Sequence, residues 1–400
     1  MLGYAQRFRL PVEDVSKEPG EVFYHFGGSR VPESIVVDEF REFVAAMRVD
    51  LRRLSSEITA LSHTAADVAL DRTSLLEYLE GDNGVGRPAG PVAKAAITQA
   101  YLAEYGLEID QQSSLNFLLF IHADRRSKFT PFGVFSDERY HVTDGNDAIV
   151  HGLTQDLRKP VQHGMRLVAV RRTAAGAIQL TFDTNGRRVS RTHDAVVLAI
   201  PFTTLRGVAL DASLRIPPAQ REAIDLLGYG TNAKMMVGLG ARPWAVHGGN
   251  GASYSDLPHH QTTWETNAAR AGADRAVVTD YSGGDRGASL DPRAVQVEAE
   301  RFLTSLDIVF PGPYAAARRS GSTVLAHLEH WPSNPLTLGS YTCYRPGQFT
   351  SIAGREGIPA GNVYFAGEHA NSFYEWQGFM EGAALSGLDA AAAILSGTKR

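Results

Sequence analysis

The fold is decided by residues 362–395, which read NVYFAGEHANSFYEWQGFMEGAALSGLDAAAAIL. The first part, residues 363–366, is short, apolar and followed by a glycine, which is typical of a buried parallel strand. The last part begins near Gly378 and carries apolar side chains at helical spacing: Met380, Ala383, Ala384, Leu388, Ala391 and Leu395. A small residue at a helix start lets a flat ring approach the unpaired N–H groups of the first turn. Glu368, just after the strand, is placed to accept hydrogen bonds from hydroxyl groups.

This stretch resembles the C-terminal flavin motif of the flavin-containing amine oxidases. That family includes monoamine oxidases, polyamine oxidases, L-amino-acid oxidases and flavin histone demethylases. The resemblance implies an FAD cofactor whose ribityl chain is bonded by Glu368, directly after Gly367. It also implies that the helix starting at Gly378 points its N-terminus at the flavin ring, with the backbone of Phe379 and Met380 against it. An ordinary strand and helix at a domain edge is the alternative, but the match continues for some thirty residues.

The composition indicates an ordinary globular protein. The 400 residues are 44% hydrophobic and 21% charged, enough for one large core or two domains that share one. The net charge of -5 gives no global basic field, so we expect neither nucleic acid nor a membrane as partner. The single cysteine, Cys343, excludes an intrachain disulfide and agrees with a reducing compartment. No apolar run suits a signal peptide or a membrane span, so we expect a soluble, cytoplasmic protein.

The first third of the chain reads as mostly helical. Apolar spacing predicts helices over residues 37–61, 74–79, 92–105 and 113–121, and Gly106 is well placed to cap the third. From Tyr140 onward the spacing of apolar residues changes and indicates short strands separated by turns, with one helix-like segment at 148–157. Strands are predicted over 165–171, 178–183 and 188–192, with Asn185-Gly186 as a strong turn signal. Residues 194–201 form a buried strand ended by proline, which resembles the family's crossing from flavin domain to substrate domain.

The resemblance implies an α/β fold of mixed α+β character. We expect an incomplete Rossmann-like FAD-binding domain and an amine-oxidase-type substrate domain with a mixed sheet and helices. Residues 212–338 carry the predicted helices 219–227 and 294–310 and the predicted strands 233–239, 276–281 and 323–330. The expected boundaries are a remnant N-terminal segment (1–31), the helical part of the substrate domain (32–135), the first FAD-binding part (136–211), the substrate-domain sheet and helices (212–338) and the second FAD-binding part (339–400).

Lys234 is a single charge at the start of the apolar strand predicted at 233–239. In the family, the lysine at this place holds a water at flavin N5, the atom that receives hydride and later meets dioxygen. A cation there stabilises negative charge that develops on reduced flavin or on oxygen. The alternative is a strand-end lysine whose charged tip extends to water.

Three aromatic residues complete the catalytic part of the resemblance. It places Trp331 beside the flavin ring and makes Tyr341 and Phe379 two walls of an aromatic cage, which hold an amine and exclude water. Phe379 replaces the tyrosine of the monoamine oxidases, so the cage has one hydroxyl fewer. Core packing explains any one of these rings but less easily all three. Ser340 stands where some relatives carry a flavin-bonded cysteine, so we expect non-covalent FAD.

Several other residues are candidates of lower specificity. The resemblance places Leu167 or Val168 against adenine, with an ambiguity of one residue that reverses the side of the strand. An amino-acid substrate needs a cation for its carboxylate, and Arg30, Arg125 and Arg126 are among the arginines available. A polyamine substrate would favour an acid such as Glu375. The histidines at 259, 260, 327 and 330 lack further ligands at a recognisable spacing, so we expect no metal.

One part of the family pattern is missing from these residues. The family begins with a βαβ unit whose GxGxxG turn holds the FAD diphosphate, and residues 1–400 contain no such turn. The nearest match, Gly27-Gly28-Ser29-Arg30, lies in the wrong context, since we expect no buried strand before it. Three explanations are open: a late start codon or truncated gene, a split enzyme whose partner chain supplies the unit, and a relic that no longer binds flavin.

The expected function is an FAD-dependent oxidase of amines or L-amino acids. Hydride would pass from the C–N carbon to flavin N5, the imine would be released, and O2 would reoxidise the flavin to give H2O2. The expected partners are the substrate, O2 and either a second copy of the chain or a partner chain that supplies the missing unit. The first alternative is a non-catalytic relative or structural subunit that completes a partner's flavin domain. The second is a flavin desaturase or porphyrinogen oxidase, against which Lys234 and the Tyr341/Phe379 pair weigh.

Overall fold

A computed structural model describes residues 1–15, 19–81, 87–121, 123, 128–131, 138–266, 274–371 and 376–397. The strands are β1 Val12–Asp14, β2 Glu21–Phe26, β3 Ser29–Val31, β4 Tyr140–Val142, β5 Arg166–Arg172, β6 Ile178–Thr184, β7 Arg187–His193, β8 Val196–Leu198, β9 Ala209–Leu210, β10 Ala233–Leu239, β11 Gly249–Ser255, β12 Thr262–Glu265, β13 Ala276–Ser282, β14 Arg319–Ser320, β15 Thr323–Val324, β16 Ala326–His330 and β17 Val363–Phe365.

The α-helices are α1 Leu2–Arg7, α2 Glu33–Leu51, α3 Ala65–Arg72, α4 Leu75–Glu80, α5 Pro91–Tyr105, α6 Ser114–Leu118, α7 Asp147–Gln155, α8 Phe202–Leu205, α9 Pro218–Leu226, α10 Gly284–Ser289, α11 Val295–Val309, α12 Pro313–Ala316, α13 Gln348–Ser351 and α14 Met380–Gly397. Short 3₁₀ turns lie at Ala212–Leu214, Pro243–His247, Trp331–Ser333 and Glu368–Ala370. No helix in the described part of the chain is long and apolar enough to cross a lipid bilayer.

A seven-stranded sheet with the order β16-β10-β13-β12-β11-β2-β3 forms the centre of the molecule. Its pairs are antiparallel except β11 with β2, which is parallel. Side chains alternate between the two faces. One face, with Met235 and Val237, packs with α11 in one core cluster. The other face lies under α5, which packs against β2, β11, β12 and β13.

The N-terminal hairpin β2–β3 corrects the prediction for residues before Gly27. We expected no buried strand there, but residues 23–26 are buried and pair with β11 and β3. Gly27 and Gly28 have φ of 60° and 79°, the left-handed values that a two-residue hairpin turn requires. The segment is therefore a turn between strands and does not hold a phosphate group at a helix start.

The helical layer agrees with the sequence in part: helix α3 was not predicted, and α6 ends at Leu118 although a helix was predicted through residue 121. Gly106 caps α5 in the left-handed conformation, with φ of 71°, as predicted. The helix predicted over 37–61 ends at Leu51, so its second half is wrong. Ser55 donates to the buried Asp67 carboxylate from its backbone N–H (3.0 Å) and its hydroxyl (2.7 Å). These local bonds compete with the helical ones and stop the helix.

Two smaller sheets come from the middle and the end of the chain. β17 pairs in parallel with β8, and Val363 faces Val196 in the ladder, so the two predicted buried strands are neighbours. Strands β7-β6-β5-β9 form a second sheet, in which Asn185-Gly186 makes the predicted turn with positive φ at both residues. Mixed sheets and helices confirm the predicted α/β fold of mixed character.

Candidate functional site

Lys234 lies on β10, directly opposite Tyr281 of β13, on the sheet face that α5 covers. Its Nζ is 5.0 Å from the ring centroid of Tyr281, 5.5 Å from that of Trp264 and 5.7 Å from that of Trp331. Cations are attracted to ring faces at these distances. Burial lowers the pKa of the Lys234 ammonium, and the charge of Glu138 acts in the opposite direction. A partly desolvated cation therefore lies among three aromatic rings.

Tyr341 is tied to this group through its hydroxyl. The hydroxyls of Tyr341 and Tyr281 lie 3.0 Å apart, and the Tyr341 hydroxyl donates to the backbone carbonyl of Glu104 at the end of α5. Burial raises the pKa of both tyrosines, which keeps them neutral. The structure thus joins β13, the segment before β17 and helix α5 at one point beside Lys234.

Glu368 follows β17 and bridges two segments with its carboxylate. Oε2 accepts from the backbone N–H of Gly378 at 2.8 Å and from the hydroxyl of Thr342, and Oε1 accepts from the Thr342 N–H at 3.3 Å. Burial raises the pKa of the Glu368 carboxyl, and these bonds lower it in part. The carboxylate is therefore held in front of the glycine turn that leads into α14.

The turn before α14 brings Gly378 close to Tyr341, whereas Phe379 packs elsewhere. A Cβ on Gly378, whose φ is 84°, would lie 3.7 Å from Cδ2 of Tyr341. The Phe379 ring packs against Phe120, with centroids 6.0 Å apart. Met380 is the first residue of α14 and is 38% exposed. Among the three predicted aromatic residues, and within the described part of the chain, only Trp331 has its ring within 6 Å of the Lys234 Nζ, at 5.7 Å.

The sequence did not point to Glu138, which lies near Lys234, or to Glu104, whose charged neighbour is Glu138. Burial raises the pKa of Glu104 well above its usual range, and the neighbouring charge of Glu138 raises it further. Glu138 is exposed by surface area, yet desolvation by the residues around it raises the pKa of its carboxyl, whereas the charge of Lys234 lowers it. Tyr281 and Trp264 were missed because no family motif covers them and because their approach to Lys234 depends on strand pairing.

The neighbourhood of Glu368 contains an unpaired buried nitrogen. His369 is 2% exposed, its ring lies 4.5 Å from that of Phe202, and burial lowers its pKa to about 4. Its Nε2 has no hydrogen-bond partner among the described residues. Gly367, with φ of 129°, lies so close that a Cβ there would be 2.3 Å from the imidazole Cε1.

The other candidates lie apart from Lys234. Leu167 pairs with Phe182 and packs against the main core, whereas Val168 is the extra residue of a β-bulge in β5, so the two differ in surroundings. Arg30 stacks on the Phe23 ring at 3.7 Å, on the sheet face opposite Lys234. Cys343 is buried, and burial raises the pKa of its thiol.

Three candidates, Arg125, Arg126 and Glu375, lie outside the residues that the structure describes. Within the described ranges, no group of three or more histidine, cysteine, aspartate or glutamate side chains could hold a metal ion. His260 instead bonds the Ser253 hydroxyl through Nε2 at 2.8 Å.

Comparison with known proteins gives one family. The model of the family described as "Flavin containing amine oxidoreductase" matches residues 1–395. The YobN protein of Bacillus subtilis (strain 168) is 24% identical over 254 residues, which are 62% of this chain and 51% of that protein. The L-amino-acid oxidase of Bungarus fasciatus is 22% identical over 395 residues, which are 97% of this chain and 69% of that protein. The chain therefore spans about half the length of the first relative.

Solved structures share the fold. Putrescine oxidase bound to putrescine superimposes with a TM-score of 0.76 at 16% identity, over 99% of this chain and 85% of that one. Cyclohexylamine oxidase from Brevibacterium oxydans IH-35A gives a TM-score of 0.75 at 18% identity, over 100% of this chain and 85% of that one.

Proposed function

We propose that this chain, which belongs to the family of flavin-containing amine oxidoreductases, acts as an FAD-dependent oxidase of amines. The observation that carries the proposal is the place of Lys234, a partly desolvated cation 5.0–5.7 Å from three ring centroids and beside the bonded pair Tyr281 and Tyr341. Partial burial of a cation costs free energy unless the cation interacts with negative charge. Negative charge that develops during the reaction at this aromatic site would be stabilised by the Lys234 ammonium.

The residues around Glu368 fit the ring end of FAD. Its carboxylate accepts three bonds from Gly378 and Thr342, which leaves about one of its four acceptor positions for a ribityl hydroxyl. The first N–H groups of α14 have no intrahelical partner, and the Nε2 of His369 is unpaired. When bound, FAD supplies the electron acceptor, which takes hydride from the C–N carbon at N5 and passes the electrons to O2 as H2O2.

The chain's own residues would do the rest. Tyr341 and Phe379 would flank the amine and exclude water, and Trp331 would lie beside the ring. Lys234 would hold a proton near N5, and Glu368 and the Gly367 and Gly378 turns would position the cofactor, with Met380 at the helix start. We further propose that Leu167 or Val168 contacts adenine, that FAD is bound without a covalent link, and that the protein works in the cytoplasm, as its single cysteine favours.

Purification of the chain, with and without added FAD, tests the proposal. A yellow protein that bleaches without oxygen on addition of an amine or an L-amino acid, and that recovers its colour with H2O2 on admission of air, supports it. A protein that binds FAD but is bleached by no amine favours the non-catalytic alternative. A colourless protein that takes up no FAD refutes activity of this chain alone, and a partner chain that restores FAD uptake would support the split enzyme.

A further inference from the structure

The turn before α14 is held by a second carboxylate besides that of Glu368. The side-chain amide of Gln377 donates to the Tyr344 hydroxyl at 3.0 Å, and this hydroxyl donates to Oε1 of Glu356. We call Glu356, Tyr344 and Gln377 the Tyr344 network. Gln377 directly precedes Gly378, the glycine of the turn. The network therefore ends at the turn, and the sequence pointed to none of its three members.

The two inner members of the network are fixed to the core. Glu356 is 0% exposed, its Oε2 accepts from the Arg355 N–H at 3.0 Å, and its backbone carbonyl accepts from Nε2 of Gln220 at 2.7 Å. Tyr344 is 2% exposed, and its ring packs against Phe349 with centroids 4.3 Å apart. Groups that are already fixed lose little further conformational entropy when they bond a third group.

The direction of these bonds is set by charge. Described N–H and O–H groups donate to both oxygens of Glu356, which fits an ionised carboxylate. Burial and the charge of Glu356 raise the pKa of the Tyr344 hydroxyl, so the hydroxyl keeps its proton and remains the donor. A hydrogen bond to an ionised acceptor is stronger than one between neutral groups. Tyr344 is therefore held firmly at the Glu356 end and accepts from Gln377 at the other.

The two carboxylates hold the same pair of segments. Glu368 joins Thr342 to Gly378, and the Tyr344 network joins nearby residues of the same two segments. Burial raises the pKa of the Glu368 carboxyl, and the charge of Glu356 acts in the same direction, so each carboxylate lies within electrostatic reach of the other. Loss of either bridge would leave the turn less constrained.

We propose that Glu356 is a positioning residue, which acts through Tyr344 and Gln377 to fix the Gly378 turn for the flavin before FAD is bound. The proposal rests on the proposed function, in which this turn meets the flavin ring. The Gly378 N–H donates to Glu368 at 2.8 Å, so displacement of the turn would disturb the carboxylate and the start of α14 together. A supporting shell that is loose by about 1 Å is enough to weaken a binding site.

Hydrogen exchange of the chain without FAD tests the network directly. Tyr344→Phe keeps the buried ring but removes the hydroxyl that links Glu356 to Gln377. We expect the peptide covering residues 376–382 to exchange about tenfold faster in this variant and in Glu356→Leu. Glu356→Gln keeps a carbonyl oxygen that can accept from Tyr344, so it should retain most of the protection. Exchange at the wild-type rate in Tyr344→Phe would overturn the proposal.

Tyr78→Phe is the matched control for loss of stability alone. The Tyr78 hydroxyl donates to the buried Asp50 carboxylate at 3.0 Å, so this variant removes a bond of the same kind between α4 and α2. It should lower the urea midpoint about as much as Tyr344→Phe while peptide 376–382 exchanges at the wild-type rate. Equal acceleration in the two variants would show general loosening and would count against a role for Glu356 in the turn.

FAD titration followed by flavin fluorescence measures the second consequence. A turn fixed in its bound conformation adds affinity, so Tyr344→Phe and Glu356→Leu should bind FAD about tenfold more weakly, and Glu356→Gln less than about threefold more weakly. Unchanged affinity in all three variants, or a chain that takes up no FAD, would overturn the role towards the cofactor. If exchange and FAD affinity change as expected but no amine bleaches the bound flavin, the oxidase function fails and the positioning role stands.

Discussion

Replacement of Glu368 by glutamine should weaken the turn before α14. The carboxylate accepts three bonds, two at Oε2 and one at Oε1, which tie Gly378 and Thr342 together. Glutamine keeps the shape but converts one oxygen into a donor. With the amide nitrogen at the Oε2 position, it would face the Gly378 N–H at 2.8 Å; at the Oε1 position it would face the Thr342 N–H at 3.3 Å. The second orientation sacrifices the longer bond and should be preferred.

The expected loss follows from this orientation. One backbone N–H is left unpaired, and the remaining bonds lose charge assistance, together worth about 2–4 kcal/mol. Removal of a buried charge offsets part of that cost, since burial raises the pKa of Glu368. We expect a net destabilisation of about 1–2 kcal/mol at neutral pH. Urea unfolding followed by circular dichroism measures it as a lower midpoint at unchanged slope.

The pH dependence supplies the sharper test. A carboxyl whose pKa is raised in the folded protein holds its proton more tightly there than in the unfolded chain, so wild-type stability falls as pH rises from the ordinary glutamate range through the raised pKa. The glutamine variant lacks this titrating carboxyl, so its stability does not fall in the same way. The difference in free energy of unfolding between wild type and variant should therefore become smaller as pH rises. Glu222→Gln, at an exposed position of α9, is the control and should change little. An unchanged midpoint for Glu368→Gln, or a deficit that grows with pH, would refute the reasoning.

Three further predictions concern the same site. Lys234→Met should slow reoxidation of reduced flavin by O2 about a hundredfold, measured by stopped-flow absorbance. It should not lower stability, because burial already disfavours the charge of Lys234. Reoxidation at the wild-type rate would count against a role for the ammonium. Gly367→Ala should lower the free energy of unfolding in urea by about 2–3 kcal/mol, because the new Cβ would meet the His369 ring. Gly186→Ala, with open space around its Cβ, is the control and should lower it by about 1 kcal/mol. Equal losses in the two variants would exclude the steric cause. Acid precipitation of FAD-loaded protein should leave the yellow colour in the supernatant, because Ser340 cannot form a thioether; colour in the pellet would show a covalent link.

The sequence was sufficient where structure depends on neighbouring residues. The strand at 363–365, the helix from 380, the Gly106 cap and the Asn185-Gly186 turn were all predicted from local patterns. Each is set by periodicity or by a backbone angle that one residue type favours. The family resemblance rests on the same local stretch, so it identified Glu368 and Gly378 as candidates without knowledge of any distant contact.

The sequence failed where distant segments decide the outcome. The helix predicted through Leu61 ends at Leu51 because Asp67 offers Ser55 better partners than a further turn would. Strand β2 was missed because it is buried only through its pairing with β11, more than two hundred residues later. The match to the family left Leu167 and Val168 undistinguished, and the bulge that gives them different surroundings, a register shift between residues 167 and 169, is not revealed by any single-strand pattern.

The row of paired side chains Tyr254, Thr262, Tyr281 and Lys234 is the clearest consequence of such pairing. Its four residues come from strands β10, β11, β12 and β13 in the spatial order β10-β13-β12-β11, so neither their alignment nor their common face can be read along the chain. A one-residue slip of β12 would turn Thr262 towards the opposite face, where the apolar cluster around Met235 and Phe302 lies. That cluster already specifies the register, so burial of apolar side chains on one face places the Thr262 hydroxyl, whose Oγ1 has no partner among the described residues, on the other.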